Sequence, residues 1–303
     1  MVQAKKKYFQ EVISSLQQFW MDQGAMILPP SSDILSHNTL HPDIFFKSMA
    51  SQASNATYLQ PISKPEDARY AKHVYRTQRH YTLQTFMNPS PQNLQELYLH
   101  SLKTIGIALN MQDIRFTRTN PTSPMIGVST TGWACCQNGF EISQIYYLER
   151  IGELKCSSVG AIITYQLEKL IMLCQGVDNV MDLKWVKDQN NEPTYGELFG
   201  QTEIEMSTHI LEKILDSDLT SSFEHHFQQI NLLLKNNLCV ASYNMLLKAC
   251  HDFNLLNAKG SLRQSEKKDY IARLNTSAKI IAASYNKTIS SQTKSNQTTL
   301  GHN

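Results

Sequence analysis

Residues 79–87, RHYTLQTFM, alternate as a β-strand does, yet neither face of that strand would be apolar. Arg79, Tyr81, Leu83 and Thr85 share one side, and His80, Thr82, Gln84 and Phe86 the other. Neither set suits a dry core, so one of the two is expected to line a polar cavity. The pattern stops at Pro89, Ser90 and Pro91. Ser90 suits a helix cap and Pro91 a first helical position, so a helix with Leu94, Leu97, Tyr98, Leu102 and Ile105 inward is expected to begin there. This junction commits the chain to a sheet with one functional surface and helices packed close by.

The flanking sequence extends that plan. Phe9, Val12, Ile13, Leu16, Phe19 and Trp20 recur at helical spacing up to Gly24, and AMIL before Pro29 reads as a short strand. Residues 31–48 are polar and irregular. Residues 112–150 read mostly as strands, and strict alternation puts Glu141 and Gln144 on different faces. A helix is expected over Thr164 to Gly176, a loop at Asp188 to Pro193, and only helices beyond Thr208. The expected organisation is an α+β unit over 1–208, a helical unit over 209–286 and a disordered polar tail over 287–303.

Composition limits the function. A charged content of 18% with a net charge of +2 gives no overall attraction to polyanions. A basic excess does lie after residue 260, with seven Lys/Arg against two acids, as a charged helix face or as a surface skirting nucleic acid. The six cysteines form no C-x-x-C pair, which suits a reduced intracellular chain without structural zinc. His37 and His41 are four apart, but Pro42 follows and no third ligand is evident, so no metal site is expected. There is no apolar run of about 18 residues, and MVQAKKKYFQ lacks the core of a signal peptide, so secretion and a membrane span are not expected and the location is cytoplasmic or, as the alternative, organellar. Glycine-rich phosphate loops and dinucleotide fingerprints are absent. What remains is the cluster Lys64, Arg69, Lys72, Arg76 and Arg79, able to hold phosphate through side-chain cations or to stand as a solvated surface.

Several blocks share an order and spacing with one family. FQEVISSLQQFW, NPSP followed by QNLQELYL, DIRF, NGFEISQ, TYQLEKL, QGVDNVMDL, TYGELF, EIEMST and HDFNLLNAKG, between Phe9 and Gly260, resemble the α subunit of the bacterial two-subunit glycyl-tRNA synthetase. The resemblance implies a class II aminoacyl-tRNA synthetase core, an antiparallel sheet flanked by helices, followed by a C-terminal helical domain. In that frame motif 1 falls near 9–30, motif 2 near 60–87 and motif 3 near 160–176. It further implies activation of glycine with ATP and Mg²⁺ to glycyl-adenylate. The partners implied are a second α subunit, a β subunit and tRNA-Gly, bound mainly through β, in an assembly of two α and two β.

Residue by residue, the resemblance makes Arg69 and Arg76 candidates for the phosphates of ATP, with Lys64, Gln78, Arg79, Leu83 and Lys169 around the nucleotide. Glu141 and Gln144 are candidates for the glycine ammonium or a metal-bound water. Tyr70, Tyr81, Thr39, His41, Pro42, Glu203, Glu205, Ser207 and Thr208 also match. The chain departs from the family at Ser63 and Lys64, where two arginines are usual, at Leu83 for phenylalanine, and at Ala134, Ser32 and Ile34 for acids. In motif 3, Gln166 replaces a glycine and Lys169 an arginine. Loss of a stacking ring or a forked cation costs on the order of 1–3 kcal/mol each. Two outcomes follow: a ligase with weakened ATP binding, or an inactive relative that keeps the dimer and subunit-binding surfaces.

Overall fold

The computed structural model describes residues 7–50, 52–107, 113–187 and 191–300, with side chains described up to residue 289. Nine strands form one sheet among these residues: β1 Met26–Ile27, β2 Leu35–Ser36, β3 Ser54–Ser63, β4 Arg79–Asn88, β5 Ile114–Thr119, β6 Thr122–Ser123, β7 Val128–Gln137, β8 Phe140–Ile151 and β9 Leu154–Gln166. The main order is β1-β3-β4-β9-β8-β7-β5, with β2 beside β3 and β6 beside β7. All pairings are antiparallel except those of β1 and β2 with β3. The helices are α1 Phe9–Asp22, α2 Pro42–Lys47, α3 Leu94–Thr104, α4 Leu167–Gln175, α5 Tyr195–Thr208, α6 Asp216–Lys235, α7 Cys239–Lys259 and α8 Gln264–Leu300.

Each face of the sheet has its own core. Phe9, Val12, Leu16 and Trp20 of α1 bury their helical stripe with Leu94, Tyr98 and Leu102 of α3 and Leu167, Leu170 and Ile171 of α4. Leu83 and Met87 of β4, with Ile163 and Tyr165 of β9, supply the sheet side of that core. The alternate residues Phe86 and Ile162 join the opposite core, which includes Phe223, Tyr243, Phe253, Leu274 and Ile281 of the C-terminal helices. The helix that ends at Thr208 runs on directly as a π-helical turn over His209–Lys213, and the helices beyond it share a core with the sheet.

Local differences from expectation have local causes. The helix expected from Pro91 starts at Leu94, with Asn93 as its cap. Ser90 donates its backbone N–H to Val159 O of β9 at 2.9 Å, so this residue is still held by the sheet. Likewise β9 continues to Gln166, paired with Thr82, so the helix expected from Thr164 starts at Leu167. The irregular stretch 31–48 contains β2 and α2, whose Ile44, Phe45 and Phe46 are buried. The last helix runs unbroken to Leu300 rather than ending near 286; no proline or glycine interrupts that polar stretch before Gly301. Residues 188–190 of the expected loop and 301–303 of the tail lie outside the described residues.

Candidate functional site

A cavity of about 500 Å³ opens on the sheet face that also carries the C-terminal helices. Its size is that of a small-molecule site. The two-residue period of β4 divides the strand along its length. Phe86 enters the core, whereas Gln84, Thr82 and His80, on the same face, line the cavity. Across the sheet, Gln84 pairs with Thr164 of β9 and Thr164 with Gln144 of β8, and all three line the cavity. The floor is therefore built of amides and hydroxyls, which offer both donors and acceptors. Enclosure among protein atoms, reinforced by Lys64, holds the His80 imidazole well below its ordinary pKa, so it is neutral at pH 7.

Glu141 and Gln144 lie together, against strict alternation. The register between β7 and β8 shifts between Cys135, which pairs with Ser143, and Cys136, which pairs with Glu141. That bulge leaves Ile142 as the extra residue and turns Glu141 to the cavity side. Gln144 Nε2 donates to Glu141 Oε1 at 2.8 Å, and Gln166 Nε2 donates to the same oxygen at 2.6 Å. Lys169, one helical step beyond, also lines the cavity, with Nζ 5.2 Å from the centre of the Phe140 ring. Burial lowers its pKa and the nearby Glu141 charge opposes that shift.

The cations expected on the site separate into two groups. Lys64 and Lys169 line the cavity, together with Glu141 and Gln144. Lys64 Nζ lies 2.6 Å from Asp67 Oδ2, and Asp67 is also 3.9 Å from Nε of Arg76. Arg76 itself sits between two lining residues, Tyr75 and Thr77. Arg69 is exposed and donates to the carbonyls of Ala68 and Glu66 at 2.6 and 3.2 Å. Arg79 and Leu83 belong to the other face of β4. The Arg79 guanidinium lies 6.0 Å from the Phe199 ring, and Leu83 is fully buried beneath α1 and its neighbours. Leu83 thus does not face the cavity, and the phenol rings that line it are those of Tyr75 and Tyr146.

The loop carrying Arg69 and Arg76 is held from behind. Glu203 of α5 accepts the backbone N–H of Gln78 at 2.7 Å, and Gln78 O accepts the N–H of Lys64 at 2.7 Å. Ser207 Oγ accepts the N–H of Tyr70 at 3.0 Å. Glu168 of α4 accepts the N–H of Tyr81 at 2.7 Å and the Tyr195 hydroxyl at 3.2 Å. Burial pushes the carboxyls of Glu168 and Glu203 up to about 7. Of the other matching residues, Thr39 lines the cavity, whereas His41 caps α2 through Nδ1, which accepts the N–H of Asp43 at 3.2 Å. Glu205 accepts from Gln201 on its own helix, as an ordinary surface residue does, and Thr208 Oγ donates back to Ile204 O. Sequence reasoning passed over His80, Thr82 and Gln84 as ligands, although the parity of β4 pointed to them. For the bulge at Ile142 the sequence carries no glycine or proline signal.

No group of three or more His, Cys, Asp or Glu side chains among the described residues is arranged to hold a metal ion. Three acidic residues, Asp67, Glu141 and Glu168, do line the cavity, and Glu168 already accepts from Tyr81 and Tyr195, which leaves Asp67 and Glu141. That supply fits a magnesium ion brought in on nucleotide phosphates, which needs only one or two protein carboxylates. Among the described residues, no helix is long and apolar enough to cross a membrane.

Comparison with solved structures finds pyrrolysyl-tRNA synthetase from Desulfitobacterium hafniense twice. One structure aligns with a TM-score of 0.42 and 11% identity over 62% of this chain and 75% of that one. The other has the same score and identity, over 61% and 73%. A family model described as the glycyl-tRNA synthetase alpha subunit matches residues 9–290, a span that takes in the whole sheet, the cavity and the C-terminal helices except the last ten residues of α8. The chain therefore belongs to the family of glycyl-tRNA synthetase α subunits.

Proposed function

We propose that this chain activates glycine with ATP in the cavity on β4, β8 and β9, and that a β subunit joins it for transfer to tRNA-Gly. Membership of a ligase family implies ATP use, a β partner and a tRNA substrate. The observation that carries the finer reading is that Glu141, turned inward by a bulge, lines the same cavity as the cations Lys64 and Lys169. A carboxylate suits the ammonium of an amino acid, and two lysines suit the phosphates of ATP. The glycine carboxylate oxygen would attack the α-phosphorus, and the bond to the pyrophosphate oxygen would break. Such a reaction needs alignment and cationic charge more than a general base, and the neutral His80 suits that division of labour.

In this scheme Tyr75 and Tyr146 are the rings available to an adenine, and Arg76 could turn from Asp67 to a phosphate. Mg²⁺ would be held by Asp67 or Glu141 with the phosphates, supplying charge neutralisation on the leaving group. The setting is cytoplasmic, and the working unit pairs two α chains. Glycine-dependent exchange of pyrophosphate into ATP, with and without the β subunit, tests the scheme. Exchange that depends on glycine supports it; none under either condition, with folding and complex formation verified, sinks it.

A further inference from the structure

Gln166 makes an unusual use of its position. It is the cap residue of α4, but its side chain makes no capping hydrogen bond. Instead the carboxamide reaches across the cavity floor from β9 and donates to Glu141 Oε1 at 2.6 Å. Gln144, on the same strand as Glu141, already donates to that oxygen at 2.8 Å. One carboxylate oxygen carries about two lone-pair sites, so Oε1 has both occupied. The contact made by Gln166 is the N–H donation to a charged oxygen that an ammonium group would make, at comparable length.

We infer that Gln166 is an internal competitor for the amino-acid ammonium on Glu141, and that it sets how tightly this chain holds its amino acid. This rests on Glu141 being the ammonium partner, as in the proposed function. An incoming ammonium must displace the Gln166 carboxamide or bind through Oε2 alone. In either case affinity is lower than the same carboxylate would give with Gln166 withdrawn. The exchange of donors takes place on Glu141, the ammonium partner in that reading, so the amino acid is the ligand whose affinity it is expected to change.

Glycine titrated calorimetrically into the full chain, unsubstituted and carrying Gln166→Ala or Gln166→Asn, tests the inference. The asparagine variant keeps the amide but is one methylene too short to span the gap, and it guards against loss of folding. Glycine is expected to bind about tenfold tighter in the variants, the scale of one charge-assisted hydrogen bond, with ATP affinity unchanged. If neither variant binds glycine tighter than the unsubstituted chain, Gln166 is not a competitor. Pyrophosphate exchange read on the same proteins separates this from the ligase reading. Exchange with unaltered glycine affinity removes only the role of Gln166, and tighter glycine binding without exchange removes only the activity.

Discussion

At the scale of the residue, the cavity relies on lysines where forked cations would have been expected. Lys169 is a compact charge with a pKa lowered by burial. As pH rises through that lowered value its cation is lost, so ATP affinity is expected to fall at a lower pH than an ordinary lysine would dictate. Lys169→Arg keeps the charge at every relevant pH and adds bidentate geometry. ATP titration should show severalfold tighter binding and a flattened alkaline limb; equal affinity and an unchanged limb would remove Lys169 from the nucleotide site. How far the site was legible depended on geometry at individual residues. The even-numbered set of β4 could be read as cavity-facing because period two is fixed by the backbone. Leu83, which the resemblance places around the nucleotide, falls on the other parity: it shares a face with Arg79 and Tyr81, and the structure buries it in the core with α1. Glu141 and Gln144 could not be placed on one face from alternation, since only a register shift joins them.

At the scale of the element, the strand carrying the site and the loop before it are held by buried carboxylates on α4 and α5. Glu168 and Glu203 titrate near 7 in the folded chain through burial, against an ordinary value of 4.5. A raised carboxyl pKa means the folded state keeps a proton that the unfolded state has released. Their contribution to stability is therefore present at low pH and is lost as pH rises from 4.5 to 7. For Glu168 that contribution is at most about 3 kcal/mol. Glu168→Gln keeps an acceptor for Tyr81 N–H and should flatten the loss; denaturant midpoints at pH 5 and pH 8 read it, and an equal slope in both proteins would refute it. The β7–β8 pairing supplies another test. A Cβ on Gly132 would stand 2.0 Å from Ile145 O, a backbone atom that cannot swing away. Gly132→Ala should cost at least about 2 kcal/mol by denaturation; a loss under half of that would mean the two strands separate freely. Element boundaries were less legible than the elements themselves, because Ser90 and Thr164 have helix-start chemistry but are held by strands.

At the scale of the molecule, the C-terminal helices are part of one core with the sheet. Tyr243 stacks on Phe45 at 4.1 Å, and Lys279 of α8 reaches Glu153 on the β8–β9 turn at 2.8 Å. Thermal unfolding followed by far-ultraviolet circular dichroism and by tryptophan fluorescence should give coincident transitions, and two separated ones would divide the chain near residue 208. The basic excess after residue 260 is also partly absorbed within the chain. Arg263, Arg273 and Lys279 pair with Glu266, Glu224 and Glu153 at 3.0, 2.7 and 2.8 Å, which favours a charged helix face over a nucleic-acid surface. The same arrangement leaves the polar half of the sheet as the cavity floor, with Glu141 the carboxylate that a strand places on it. The most direct test of that centre is glycine-dependent pyrophosphate exchange by the unsubstituted chain and by Glu141→Ala, each with β subunit. The account predicts at least about a hundredfold loss of kcat/KM for glycine, carried mainly in KM, with ATP binding retained. Exchange at the unsubstituted level in Glu141→Ala would contradict it.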